Sequence, residues 1–541
     1  MMKDKVLYGS PVPIPTPIES TGWVFYQRLI KYGNDDKVFI DGASGKYLTY
    51  KQFLRLSCGL AEALRKNGIG ADEVAALCSE NNIYFFIVIM AGLFTGLTIT
   101  TINPVYTENE LNHALNLTRP AKLFCTKATY EKFLDIKSKK DFIEKIIIID
   151  GDRSVPAGLS LLDFLRSSGT IATDIYKFKP TNLDSLATIA LIMFSSGTTG
   201  LPKGVMISHR NLNSRLMTQY NPRIWYQTNN PNALGVLPFF HAFGLQLGLG
   251  DLFDGRSIHV MGKFDPITYL EFIQKYRIDC IIAVPTLLVF LGKHPVVDKF
   301  DLSCLKDIVY GSSPASPETV KLAAKRLGVI PRQAYGMTES TFGVTAAPPG
   351  STKFECIGFL YPGMQACIRD PDTGKKLGPF ESGEICLKGE MVMKGYYKNE
   401  KATAETFTED GFLKTGDAGY YDNEECFYIV DRIKELIKYK SFQVAPAELE
   451  AVLITHPEIK QAAVVGLPDE RAGELPLALI VKEPNSNLTE DEVKNYLAGY
   501  LSKNKHLHGG VIFVDEIPLN SVGKIWRREL KKIIPTLKSK L

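Results

Sequence analysis

From Lys51 onward, helix-like and strand-like segments alternate, and that alternation limits the possible folds more than any other feature of the chain. QFLRLSCGLAEALRKNG carries apolar residues at helical spacing, and the short apolar runs EVAALCSE, PAKLFCT and EKIIIIDG recur after it. Repeated strand and helix units bury their faces as parallel sheets covered by helices, so the expected class is α/β. LATIALIMFSS reaches Ser196 with the continuous apolarity of a central strand. SIHVMGKF, DCIIAVPT and LKDIVYG extend the strand pattern, and ETVKLAAKRL is an amphipathic helix. At 541 residues, the chain is long enough for about 3 or 4 domain-sized units.

Between Cys356 and Lys394 the residues become β-prone and turn-rich, as in IRDPDTGKKLGP followed by GEICLKG, which predicts an antiparallel or barrel-like subregion. A boundary is expected near Asp431 to Lys434, where FYIVD meets the charged RIKE. AELEAVLITHP, AAVVGLPD, LPLALIVK, EDEVKNYLAGYL and GGVIFVD then supply a small α+β unit. The expected division is 1–431 and 432–541. No internal repeat or low-complexity tract is present.

A chain with 45% hydrophobic, 23% charged and 10% aromatic residues can bury large cores and is not of disordered composition. Its formal charge of +4 is too small for this length to imply a nucleic-acid partner. The 9 cysteines are dispersed, with no zinc or iron–sulfur spacing and no dense disulfide framework, so a reducing compartment is the simpler expectation. The start lacks the apolar core of a secretory signal. Ile83 to Thr101 is uncharged and nominally long enough to span a bilayer. Gly92, Gly96 and clustered threonines instead divide it into a buried helix, a turn and a β-prone piece, so no membrane insertion is expected.

Three segments carry nucleotide chemistry. SSGTTGLPKG follows the apolar strand directly: glycines permit tight turns, the hydroxyls of Ser195, Ser196, Thr198 and Thr199 reach phosphate oxygens, and Lys203 neutralises charge. It is not the G-x-x-x-x-G-K-[ST] loop, since Gly204 follows Lys203. A polar surface turn has the same composition. In QAYGMTEST, an aromatic beside Gly336 suits adenine stacking, while Thr338 and Glu339 suit a phosphate and its Mg²⁺. TGDAGYY adds Asp417, whose two oxygens could take both ribose hydroxyls or simply face solvent in a turn.

SSGTTGLPKGV, QAYGMTES, TGDAGYYD, IVDRIKELIKYKSFQVAPAELE and SVGKIWR stand in this order from Ser195 to Arg527. Together they resemble the adenylate-forming superfamily, in its beetle luciferase, 4-coumarate:CoA ligase and acyl-CoA synthetase branch. The resemblance implies a large N-terminal domain of two α/β subdomains plus a small β-barrel part, followed by a mobile C-terminal domain that rotates about Asp431. It implies ATP, Mg²⁺ and coenzyme A, with an acyl adenylate formed and pyrophosphate released.

Carried over, Ser195, Ser196, Gly197, Thr198, Thr199, Gly200 and Lys203 form the phosphate loop. Tyr335, Gly336 and Thr338 contact adenine and phosphate, Glu339 holds the metal, and Asp417 and Arg432 hold the ribose side. Lys524 bridges the substrate carboxylate and ATP, although an unassigned lysine near a chain end is usually just solvated. His241, in LPFFHAFGLQLG, steers the acyl carboxylate, although a lone histidine in an apolar run is more often packed than catalytic. Arg215, Phe243, Leu247, Gly311, Ser312 and Phe342 line the acyl pocket. Lys438 and Lys440 serve the thioester step, in a loop where Ser441 replaces the usual glycine. Attack by the substrate's own carboxylate on ATP needs no Ser-His-Asp nucleophile.

Luciferase and ligase share the first half reaction and differ in the pocket and in the second reagent. Phe342 stands where luciferases carry a serine, and Leu247 where firefly luciferases carry a threonine; both exchanges favour an apolar tail. Ala334, in place of a glycine, and Gly311-Ser312-Ser313 add bulk nearby. The expected activity is ATP-dependent conversion of a medium- or long-chain fatty acid to acyl-CoA. The alternative is a luciferin 4-monooxygenase using O₂. Ser539-Lys540-Leu541 reads as an address for the peroxisomal import receptor, so the peroxisome is the expected location.

Overall fold

The computed structural model describes residues 4–538 except 34, 72, 152–154, 156, 157, 196–201, 314, 441, 470 and 520–524, and the backbone alone at 442, 443, 528 and 535–538. The helix Tyr50–Lys66 shows how the sequence pattern becomes structure. Thr49 and Gln52 form a reciprocal capping box, and Arg65 and Lys66 complement the dipole at the last turn. Phe53, Leu54, Ser57, Cys58, Leu60, Ala61 and Leu64 form its buried face. The uncharged stretch divides as its glycines and threonines indicate. Phe85–Thr95 is a helix with every residue buried, Gly96 ends it at φ 84, and Thr98–Ile102 is a buried strand. No described helix is long and apolar enough to cross a membrane.

The large N-terminal α/β domain contains several sheets. In the 8-stranded sheet, Thr98–Ile102, Val74–Cys78, Lys122–Cys125, Lys145–Ile148 and Leu159–Ser160 run parallel beside Ile189–Ser195. Lys203–Ser208 then returns antiparallel, with Lys203 opposite Ser195. A 4-stranded sheet joins Lys37–Asp41 and Tyr47–Thr49 to Asn232–Gly235 and Ser257–Val260.

The β-prone region after Cys356 is antiparallel, as its turn chemistry requires, but its described strands do not close into a barrel. They continue an open 10-stranded sheet whose other edge is parallel, formed by Cys280–Ala283, Asp307–Tyr310 and Arg332–Gly336. The ladder at Arg332–Gly336 passes directly to the antiparallel strand Gly343–Ala346. The turn-rich strands are therefore an extension of an α/β sheet rather than a separate body.

One disulfide, Cys356–Cys426, lies within this sheet; the other seven cysteines are free. A separation of 70 residues hid the pair in the sequence, and antiparallel pairing of Cys356–Leu360 with Phe427–Arg432 brings it together.

The smaller C-terminal α+β domain has its own 5-stranded sheet, built from Ile437–Tyr439, Phe442–Val444, Ile459–Asp469, Gly473–Lys482 and Gly510–Phe513. Asp431 ties it to the preceding strand. One carboxylate oxygen accepts from the Arg432 amide at 2.6 Å and the other from the Ala447 amide at 3.0 Å, in the first turn of Pro446–Leu453. Arg527 adds ion pairs to Glu435 at 3.0 Å and Glu450 at 2.6 Å.

Candidate active site

A cavity of about 440 Å³ opens at the carboxyl ends of parallel strands from the two largest sheets, where open α/β sheets place ligands. Phe194 and Ser195 enter from the end of one strand, Gly311 and Ser312 from just beyond a second, and Ala334, Tyr335 and Gly336 from a third. Lys203, His241, Phe243, Leu247, Thr338, Glu339, Phe342 and Arg432 complete the set of expected residues that reach it.

The polar half is organised by strand register. Asp417 and Arg432 are direct cross-strand partners, and Arg432 Nε lies 2.7 Å from one Asp417 oxygen. The Tyr335 hydroxyl donates to the other oxygen at 2.5 Å. Asp417 is thus 4% exposed and braced on both oxygens, and it lies just behind the lining rather than in it. Burial, and then the Asp417 carboxylate, raise the Tyr335 pKa well above its ordinary value. Burial works against charge on Arg432, but Asp417 and Tyr335 outweigh it and the net shift is upward.

Glu384 was read from the sequence only as part of a strand, and it belongs to this site. Its Oε1 accepts from the Gly416 amide at 2.9 Å. Gly416 sits at φ 73 within the strand Leu413–Tyr421, where the ladder to Gly383–Lys388 shifts register, so the carboxylate pins a strand irregularity that only glycine adopts cheaply. Burial raises the Glu384 pKa. Tyr396 was also missed: its hydroxyl donates to Glu339 Oε1 at 3.0 Å. Nothing in GYYKNE signals that contact, because it depends on pairing of Gly395–Tyr396 with Lys203–Ser208.

The apolar half is built around the helix Ala242–Phe253. His241 caps it, accepting from the Phe243 amide through Nδ1 at 3.3 Å, which leaves the ring proton on Nε2. Gly248 and Gly250 are sites of close approach. A Cβ at Gly248 would stand 2.4 Å from the Phe86 ring, and one at Gly250 would stand 2.7 Å from Gln219 Oε1 and 3.3 Å from both terminal nitrogens of Arg215. Phe342 packs on Trp225 at 5.9 Å and Phe243 at 5.7 Å between ring centroids, and Trp225 and Tyr361 join the cavity wall.

Arg215 does not line the cavity. Its guanidinium stands against the rings of Phe342 at 4.7 Å and Trp225 at 5.2 Å, which themselves face the cavity. It is 1% exposed, bonds Gln219 at 2.8 Å and leaves Nε without a partner among the described residues. Burial pushes its pKa down to about 10, with Tyr361 and Asp254 opposing. The sequence expectation placed Arg215 in the pocket; in the structure it is outside the lining and packs against two rings that belong to it.

Lys438 and Lys440 are exposed and outside the lining. The Lys438 amide bonds Glu474 at 2.9 Å, and the Lys440 ammonium lies 5.1 Å over Tyr439. Ser196, Gly197, Thr198, Thr199, Gly200 and Lys524 lie outside the described residues, as do Ser539, Lys540 and Leu541.

The AMP-binding enzyme family model matches residues 27–397, and the AMP-binding enzyme C-terminal domain model matches 448–524. The chain belongs to the adenylate-forming superfamily. A luciferin 4-monooxygenase of Photuris pensylvanica is 40% identical over 545 residues, covering 100% of both chains. The probable 4-coumarate–CoA ligase 1 of Dictyostelium discoideum is 37% identical and covers 94% of each. The ATP-bound structure of MatB from Rhodopseudomonas palustris superposes with a TM-score of 0.85 at 27% identity, covering 94% of this chain and 98% of that one. This adenylate-forming chain is therefore an ATP-dependent enzyme, and the cavity brings motifs far apart in sequence to one place.

Proposed function

We propose that this enzyme activates a medium- or long-chain fatty acid as its acyl adenylate and passes the acyl group to coenzyme A. The substrate carboxylate attacks the α-phosphorus of ATP and pyrophosphate leaves. The CoA thiol then attacks the acyl carbonyl, a thioester bond forms, and AMP departs with the bond electrons. Lys203, Thr338 and the hydroxyls of the 195–200 loop are assigned to the phosphates, and His241 to orienting the carboxylate. Lys524, delivered from the C-terminal domain, is assigned to bridging the two anions. Asp417 and Arg432 are assigned to the ribose side. Rotation of the C-terminal domain about Asp431 then exchanges Lys524 for the loop that carries Lys438 and Lys440.

A buried carboxylate oxygen donor facing a phosphate site suits a hard cation that keeps most of its ligands from phosphate and water, and Glu339 is that donor. Mg²⁺, when bound, supplies neutralisation of phosphate charge.

The acyl assignment rests on one observation: Phe342 and Trp225 line the cavity, while the Arg215 cation, 4.7 and 5.2 Å from their ring centroids, does not. An apolar tail brings no polar group of its own to be left unpaired against these rings. Location in the peroxisome is proposed on the Ser539-Lys540-Leu541 terminus.

The second reading is a luciferin 4-monooxygenase, in which O₂ attacks the activated acid. The comparisons favour it: a protein named luciferin 4-monooxygenase is 40% identical to this chain, against 37% for a probable 4-coumarate–CoA ligase. Incubating the enzyme with Mg-ATP and a fatty-acid panel, with and without CoA, separates the two. Acyl-CoA and AMP formation with negligible light from D-luciferin is the expected result. Strong light without fatty-acid turnover establishes the second reading, and absence of acid-dependent pyrophosphate exchange for every acid removes both.

A further inference from the structure

Tyr396 stands between two opposite charges of the cavity and touches both. The Lys203 ammonium lies 4.7 Å from the centroid of its ring, while its hydroxyl donates to Glu339 Oε1 at 3.0 Å. Tyr396 is 8% exposed and Glu339 7%, and all three residues line the cavity. An ammonium and a carboxylate held by one side chain in a partly dry cleft attract each other strongly. Among the described residues Lys203 nonetheless makes no ion pair; its partner is the aromatic face.

The backbone explains why Tyr396 can hold this position. Val205 is its register partner in the strand that begins at Lys203. The flanking amides of Lys394 and Tyr397 donate to the Met206 and Gly204 carbonyls at 2.9 and 2.7 Å. The Met393 amide donates to the Glu339 carbonyl at 2.8 Å, and the Tyr396 amide is bonded to Thr403 Oγ1 at 2.9 Å. One short segment, 393–397, therefore ties together the backbones that present Lys203 and Glu339.

We propose that Tyr396 is a positioning residue of the adenylation site, its ring holding Lys203 and its hydroxyl aiming Glu339, so that neither charge neutralises the other before a nucleotide arrives. The ring face attracts the ammonium without occupying its N–H donors as a carboxylate would, leaving them for phosphate oxygens. The hydroxyl occupies one Glu339 oxygen and leaves the second for a divalent cation. This assignment rests on the proposed roles of Lys203 and Glu339, which the test examines separately.

Calorimetric titration of the full-length enzyme with ATP, once in EDTA and once with Mg²⁺, reads the two contacts independently of turnover. Tyr396→Phe keeps the ring and is expected to bind metal-free ATP as the wild type does but to lose about tenfold in affinity for Mg-ATP, as for a lost hydrogen bond to a charged group. Tyr396→Leu removes the ring as well and is expected to lose about fivefold for metal-free ATP through the freed ammonium. Lys203→Ala and Glu339→Gln serve as references, the first weakening both titrations and the second only that with Mg²⁺. If both reference variants bind like the wild type, the roles of Lys203 and Glu339 are wrong and the inference goes with them. If the references weaken but Tyr396→Phe matches the wild type with Mg²⁺, or weakens both titrations equally, the role of Tyr396 is overturned and the site reading stands. Tyr396→Phe preserves the buried ring, so it decides the hydroxyl's role even where the leucine variant does not fold.

Discussion

The two halves of the cavity are built on opposite principles. The half assigned to the nucleotide holds its charges by direct polar contacts, Asp417 with Arg432 and the Tyr335 hydroxyl, and Glu339 with the Tyr396 hydroxyl. Beside the half assigned to the acyl group lies a further charge, Arg215, which is outside the cavity lining, contacts the rings of Phe342 and Trp225 and is hydrogen-bonded to the Gln219 amide. A charge in the first half is expected to act on any acid's adenylation, because ATP is common to all reactions. A change in the second half is expected to alter which acid reacts, because only the tail meets it.

The largest effect that tests this contrast is loss of a phosphate-side cation. Lys203→Ala, and likewise Lys524→Ala, is expected to reduce acid-dependent pyrophosphate exchange by about 10²- to 10³-fold, the range for removing a transition-state charge donor. The loss should be the same for every acid in the panel; one that varies strongly with the acid would break the division between halves. For Lys524→Ala, hydrolysis or thiolysis of a supplied acyl adenylate should remain much closer to wild type.

Glu384→Ala should come next. Without the carboxylate that holds the Gly416 amide, the strand irregularity that presents Asp417 relaxes, and KM for ATP is expected to rise about tenfold with KM for the acid unchanged. Glu384→Gln keeps an acceptor and should recover most of that loss. Equal effects on both KM values would show that Glu384 supports the whole sheet rather than the nucleotide half.

Phe342→Ser removes a ring that packs against Arg215. The ratio of kcat/KM between an acid with a distal hydroxyl or phenol and a simple alkanoic acid is expected to rise about tenfold, because a buried cation then meets an acceptor. Light output with D-luciferin should rise in the same experiment. Unchanged specificity and luminescence would reject the aromatic wall as the determinant. The smallest effect is expected from Gly250→Ala, whose Cβ would crowd Gln219 and Arg215. About 1–3 kcal/mol of overpacking cost should appear as a lowered melting point, with an altered acid preference and no change in KM for ATP.

The same division governs how much the chain disclosed before its structure was known. Nucleotide-side residues come in short contiguous runs such as QAYGMTES and TGDAGYY, because a glycine turn and its flanking polar groups must be covalent neighbours to wrap a phosphate or a sugar. The α/β class was equally readable, since the helix Tyr50–Lys66 and the strands after it carry their periodicities openly. Among the described residues the expected barrel is not closed, because local β propensity says that strands form and says nothing about whether the sheet they join closes. Arg215 was expected in the pocket and is outside its lining, in contact with two rings that line it, since no spacing along the chain reveals which of two packed side chains faces a cavity. Glu384 and Tyr396 went unnoticed because each acts on a motif remote in sequence and contacts it only through strand pairing.

Local order of residues was enough to establish an α/β chain with a second, smaller α+β unit and a nucleotide-handling enzyme class, because periodicity and glycine turns are short-range properties of the backbone. Tertiary structure alone decided that Asp417 meets Arg432, that Cys356 meets Cys426 and that two aromatic rings pack against Arg215. These outcomes depend on strand register and layer packing, which are settled by contacts between distant segments and leave no mark on either segment alone.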